Sequence, residues 1–230
     1  MWIVPLLATL VAAAFAVLLA AQYRARRRSY QAVWAVALAM FAVASFVVFL
    51  GVLGGWTTGE YRLFWLFGAV LNVPYLAAGE LLLLVRRRPL VTVLILLLVF
   101  GTAFAVSRVR SAQVVATALD SHLPSGSDVF ATDRFVLTMA RLYSIPAYGV
   151  LVAGTAWSAW RMRGRRELRD RFAGTLGIAV GATIVAAGSA FAATGNATGF
   201  SLTLAVGVAV MFWGFLRASR TPAGGHSRPS

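Results

Sequence analysis

Seven apolar runs dominate this chain, at about 2–21, 31–53, 63–85, 89–107, 135–160, 172–194 and 198–216, with more polar segments between them, the longest at 108–134. The hydrocarbon core of a bilayer is about 30 Å thick and a helix rises about 1.5 Å per residue, so each run is long enough, or nearly so, to cross it. Inside hydrocarbon an unpaired backbone N–H or C=O finds no water, and a helix satisfies its own groups. The expected fold is therefore an all-α membrane protein, a seven-transmembrane-helix bundle over residues 1–217. A short disordered tail follows over 218–230, where Pro222, Gly224, Gly225 and Pro229 break any apolar period. The first run reads as a retained helix and not a signal peptide, because Arg24, Arg26, Arg27 and Arg28 follow it and no basic residue precedes it. The fourth and seventh runs are the shortest and Arg141 interrupts the fifth, which leaves six spans as the alternative.

Orientation follows from the arginines. They cluster after the first, third, fifth and seventh runs: Arg24 to Arg28, Arg86 to Arg88, Arg161 to Arg171, and Arg217, Arg220 and Arg228. Short cytoplasmic loops hold positive charge, so the N-terminus is expected outside and the C-terminus in the cytoplasm. Topology and anionic lipid headgroups at these loops account for the net charge of +14, and no nucleic-acid partner is expected. Trp2, Tyr23, Tyr30, Trp34, Trp56, Tyr61, Trp157 and Trp160 lie near the expected span ends, where amphipathic rings favour the headgroup layer. Alanine, valine, leucine, glycine and arginine without lysine read as GC-biased bacterial coding, hence a bacterial inner (plasma) membrane.

The inventory excludes several chemistries. There is no cysteine, so thiolate catalysis, disulfides and cysteine-held metal clusters are out. Seven helices suggest a rhodopsin, but no lysine is present to form a Schiff base with retinal. The two histidines, His122 in a loop and His226 in the tail, leave no intramembrane pair to hold haem. No cofactor and no metal site is expected: Asp120, His122, Asp128 and Asp133 of the 108–134 loop match no ligand spacing and read as a solvated loop. Asn196-Ala197-Thr198 fits a glycosylation sequon and equally an ordinary turn. No nucleophile, base and metal set is evident, so the reading leans away from an enzyme.

What remains to explain is polar. Pro74 in the third run must free a backbone carbonyl one turn earlier, with Asn72 and Tyr75 beside it. Glu80 lies about 9 Å before Arg86, and an ionised carboxylate at mid-membrane costs roughly 2.5–3.5 kcal/mol, less at that depth. It either snorkels toward Arg86, Arg87 or Arg88 or forms a proton or cation site. In the fifth run Arg141, Ser144, Tyr148 and Thr155 share one face. Arg141 needs an acceptor, for which Glu60 and Asp133 are the outer candidates; Arg62, beside Glu60, is a further outer salt-bridge candidate. Arg62, Asn72 and Pro74 match Arg134, Ser144 and Pro146 at an offset of 72, the pattern of a parallel duplication with two broken helices face to face. Gly174, Gly177, Gly181 and Gly188 line one stripe of the sixth run, fit for close packing against the seventh or for a homodimer.

The leading expectation is a small-solute or ion carrier, proton-coupled in one version, with a site between the third and fifth helices formed by Glu80, Asn72, Tyr75, Arg141, Ser144 and Tyr148. The alternative is a non-transporting membrane sensor or assembly subunit that docks a partner membrane protein or anionic lipid.

Overall fold

Each apolar run becomes one helix, and the interruptions fall where the sequence supplies a reversal or a cap. The computed structural model describes residues 3–85, 87–121, 123–162, 169–193 and 197–219. These form α1 (Ile3–Arg26), α2 (Ser29–Gly54), α3 (Thr58–Leu84), α4 (Arg88–Ser111), α5 (Arg134–Met162), α6 (Arg169–Ala193) and α7 (Ala197–Ser219), with no strand among the described residues. Arg27 turns the chain from α1 into α2 in the left-handed region, at φ 51°, with its N–H on the Tyr23 carbonyl. Gly55, at φ 85°, ends α2. Thr57 and Glu60 then start α3 with a reciprocal cap: the Thr57 hydroxyl accepts from the Glu60 N–H, and the Glu60 carboxylate accepts from the Thr57 N–H at 2.8 Å.

Five described helices, α1 to α5, are long and apolar enough to cross a membrane. α6 and α7 carry shorter apolar stretches, Leu176–Gly188 and Thr198–Gly214. The chain is an integral membrane protein on that composition. His122, Arg86, Arg163, Arg165, Arg166, Asn196 and most of the expected tail, from Arg220 onward, lie outside the described residues, as does Trp2.

The helices contact one another in a ring, α1–α2–α3–α5–α6–α7 and back to α1, with α4 outside it against α3 and α5. At the ring's centre Phe15, Leu19, Trp34, Leu38, Leu76, Leu151, Ile178 and Met211, drawn from all six ring helices, enclose a cavity of about 20 Å³. Walls this apolar hold no ordered water, so the bundle axis is plugged.

The α6–α7 contact is the closest in the ring, and glycine makes it so. A Cβ on Gly181 would lie 2.5 Å from the Gly207 carbonyl oxygen, and one on Gly214 would lie 2.6 Å from that of Gly174. Gly177 meets the Gly214 Cα, and Gly188 meets Thr203. The stripe is thus covered by α7 within the same chain.

The connection between α4 and α5 differs from the expected solvated loop. Leu119, Leu123, Val129 and Phe130 are buried, the Val115 N–H donates to the Val129 carbonyl at 2.9 Å, and the Tyr61 hydroxyl donates to the Pro124 carbonyl at 3.3 Å. The segment folds over the end of α3, where the Tyr61 ring lies 5.7 Å from Trp56 and 5.8 Å from Phe130, and Trp65 5.3 Å from Phe130. Trp56 and Tyr61 are therefore core residues of a lid, not headgroup anchors. Trp34 is likewise occupied inside, whereas Trp157 and Trp160 stay exposed.

Backbone cannot retreat from a new methyl as a side-chain tip can. Gly181→Ala is expected to lower the stability of the purified protein by about 1–3 kcal/mol, read as a drop in thermal unfolding temperature in detergent. Gly149→Ala, where nothing lies within 4 Å of the new Cβ, is expected to be neutral or stabilising by up to about 1 kcal/mol.

Candidate functional site

α3 is not a regular helix. Trp65–Leu71 forms a π-helical segment, and Pro74 follows three residues later with no N–H to offer. A donor at position 74 would have reached the carbonyl of Ala69 in π register or Val70 in α register. Ser144 of α5 donates its hydroxyl to the Ala69 carbonyl at 2.6 Å. Two more bonds stitch the same stretch to α2: Asn72 Nδ2 to the Ala37 carbonyl at 2.9 Å, and Trp34 Nε1 to the Leu76 carbonyl at 3.0 Å. Asn72 and Ser144, both expected in the site, each give a hydrogen bond to a neighbouring helix's backbone in this conformation.

Glu80 is the exception. It is 2% exposed, and its Oε1 is buried without a hydrogen-bond partner. The side chain lies against Gly154 of α5, where a Cβ would come 2.7 Å from Glu80 Cγ. Thr155, the next residue of α5, spends its hydroxyl on the Leu151 carbonyl of its own helix at 2.8 Å. On the other side the Trp34 indole covers Gly79 so closely that no Cβ fits there. Glu80 thus faces α5 and does not snorkel to Arg87 or Arg88, both of which are exposed.

The remaining expected residues are dispersed. Arg141 is exposed, and Tyr148 donates to Thr183 of α6 at 3.1 Å. Glu60 is held in the Thr57 cap, and Arg62 donates through Nη2 to the Ala112 carbonyl at 2.8 Å. Glu60 is thus engaged away from Arg141, and among the described residues Asp133 forms no ion pair with it. The expected outer salt bridges are replaced by cap and lid contacts. Tyr75 points away from Glu80, its hydroxyl 2.9 Å from that of Thr102 in α4.

That last contact closes the end of a second feature. A groove of about 460 Å³ runs between α3, α4 and α5, with Pro74 and Pro146 both in its wall. Its volume lies within the range of ligand sites, but its lining is apolar. Tyr143, also in the wall, donates to the Gly101 carbonyl at 3.1 Å. Of the residues expected to bind substrate, only Tyr75 reaches this groove. Sequence periodicity gave no sign of it, because it arises from how α4 leans and not from a polar stripe.

Comparison with protein-family models, with curated proteins and with solved structures gives no match for this chain.

If the α3 bonds are structural, their loss should reduce stability and nothing more local. Ser144→Ala and Asn72→Ala are each expected to cost about 0.6 kcal/mol, and at most about 1.7, in detergent unfolding. Arg141→Gln, at an exposed position, should leave the unfolding temperature unchanged; a loss matching the other two would show a partner for Arg141 that the geometry does not.

Proposed function

We propose that the chain is a seven-helix inner-membrane protein, with its N-terminus outside and its C-terminus in the cytoplasm, that moves a small solute or ion in exchange with a proton carried by Glu80. One observation carries this reading: a carboxyl group buried at a helix–helix contact inside a membrane domain, with an oxygen that meets no donor. Intramembrane acids are costly and mark ion or proton sites by default. Neutral, Glu80 fits the socket that Gly154 leaves. Ionised, its Oε1 would be a buried charge with no donor beside it, so the α3–α5 contact would loosen and the carboxylate would turn toward water or the arginines at the end of α3. The π segment and Pro74 supply a place for α3 to flex between that end and the lidded end. Phe15, Leu38, Leu151 and Met211 converge on a small apolar cavity, which supports reading this conformation as the closed state of such a carrier.

The absence of cysteine makes any introduced thiol unique. Single cysteines at positions 72 and 144 are tested with a small charged thiol reagent from each side of sealed vesicles. The expected result is labelling of at least one position, reduced severalfold by Glu80→Gln, which keeps the neutral shape. No labelling at either position, from either side and across pH 5–9, would end the carrier reading.

A second reading has its own observation: only 6% of the apolar stretch of α4 is buried, and Phe100 is 73% exposed. A membrane sensor or assembly subunit that docks a partner helix would present such a face. A thiol at position 100 that cross-links in native membranes to another copy or to a second membrane protein supports it; contact with lipid alone counts against it.

A further inference from the structure

α4 is fixed at one end only. Its buried residues are Ala105 and Val109. Its side-chain contacts fall in the same half: Tyr143 on the Gly101 carbonyl, Tyr75 with Thr102, and the Arg108 guanidinium 4.6 Å from the Phe135 ring centre. From Arg88 to Leu98 no residue is buried. The groove of about 460 Å³ is the wedge between this free half and α3 with α5, walled by Leu81, Leu94, Leu98 and Val150. Leu97 and Leu142, which also line it, are 62% and 67% exposed, so its mouth opens sideways at mid-helix.

Three properties define the occupant. The hydroxyls at the closed end, Tyr75, Thr102 and Tyr143, are already engaged, so the groove offers a polar solute nothing. The mouth lies along helices that are membrane-spanning by composition, where the surrounding medium is hydrocarbon chains lying roughly parallel to the helices. At the open end Arg87 and Arg88 are exposed, about 9 Å along the axis from Leu94. Among the acids whose side chains the structure describes, none lies beside them: Glu60, Asp120, Asp128 and Asp133 lie toward the lid, and Glu80 is buried against Gly154.

We propose that this groove binds one acyl chain of an anionic phospholipid, whose headgroup sits on Arg87 and Arg88. Chain and headgroup are recognised by different parts: the leucine-lined wedge takes hydrocarbon of any lipid, and the arginines select the anionic one. Neither Glu80 nor Gly154 lines the groove, and the proposal does not depend on the carrier reading.

The test is native mass spectrometry of the full chain exchanged from nanodiscs of phosphatidylcholine and phosphatidylglycerol in equal amounts. The expected result is one retained lipid with a preference for phosphatidylglycerol of about fivefold per arginine. Arg87→Gln or Arg88→Gln should each remove about fivefold, and the double variant should retain no preference. Leu97→Trp, a substitution at an exposed lining residue that the fold tolerates, fills the wedge and should reduce retention of both lipids. Equal retention of the two lipids by the unaltered chain, a preference that survives in the double variant, retention unaffected by Leu97→Trp, or a lipid-free dimer would each overturn the proposal, the last by placing a second copy in the groove.

Discussion

The structure depends on keeping backbone hydrogen bonds paired where no water can pair them. A regular helix meets that demand alone; α3 does not, because its π segment and Pro74 interrupt the ladder at mid-length. The repair comes from outside the helix. Ser144, Asn72 and Trp34 put three donated bonds around the break, two of them linking α3 with α2 and one with α5. Each is worth only about 0.6 kcal/mol in a membrane, yet together they set how three helices approach. This also explains why so few polar side chains are available to a ligand: the interruption uses them.

The helices were legible because their signal is length. Every predicted run falls on one helix, and the arginine clusters fall where α1, α3 and α5 end. Pro74 was readable as a break, since the missing N–H is a property of the residue; the π segment upstream was not, because WLFGAVL has nothing to distinguish it from ordinary helix. Asn72, Ser144 and Tyr148 stood out as polar, but a polar residue in a span has two fates, ligand or neighbouring backbone, and only the three-dimensional neighbour decides between them. The lid was hidden for a related reason. Its buried residues, Leu119, Leu123, Val129 and Phe130, are scattered among serines, glycine and aspartates, with no period to mark a packed face.

Charge was the least legible part. Arg141 in an apolar run calls for an acid, and Glu60 and Asp133, at the starts of α3 and α5, are the candidates in sequence. A cap claims Glu60, and a carbonyl of the lid claims Arg62. Local contacts available within a few residues displaced the longer-range ion pairs, consistent with the small net gain of pairing exposed charges.

The two halves of α3 therefore differ in what holds them. The half before the break is clamped by Trp56, Phe64, Trp65 and Phe130 in a buried aromatic cluster capped by the lid. The half after it is held by Trp34 over Gly79 and by Glu80 in the hollow at Gly154, with α4 standing away along the groove. Aromatic packing is insensitive to pH, but a contact made by a buried carboxyl is not. On the carrier reading proposed above, loss of one proton from Glu80 weakens the second half while leaving the first in place, and the π segment and Pro74 are where α3 would pivot. The same pivot changes the width of the wedge beside α4, because Pro74, Ala77, Ala78 and Leu81 form its α3 wall. If both proposals hold, a chain lodged in that wedge would resist the movement, and lipid occupancy and the protonation of Glu80 would be two loads on one hinge.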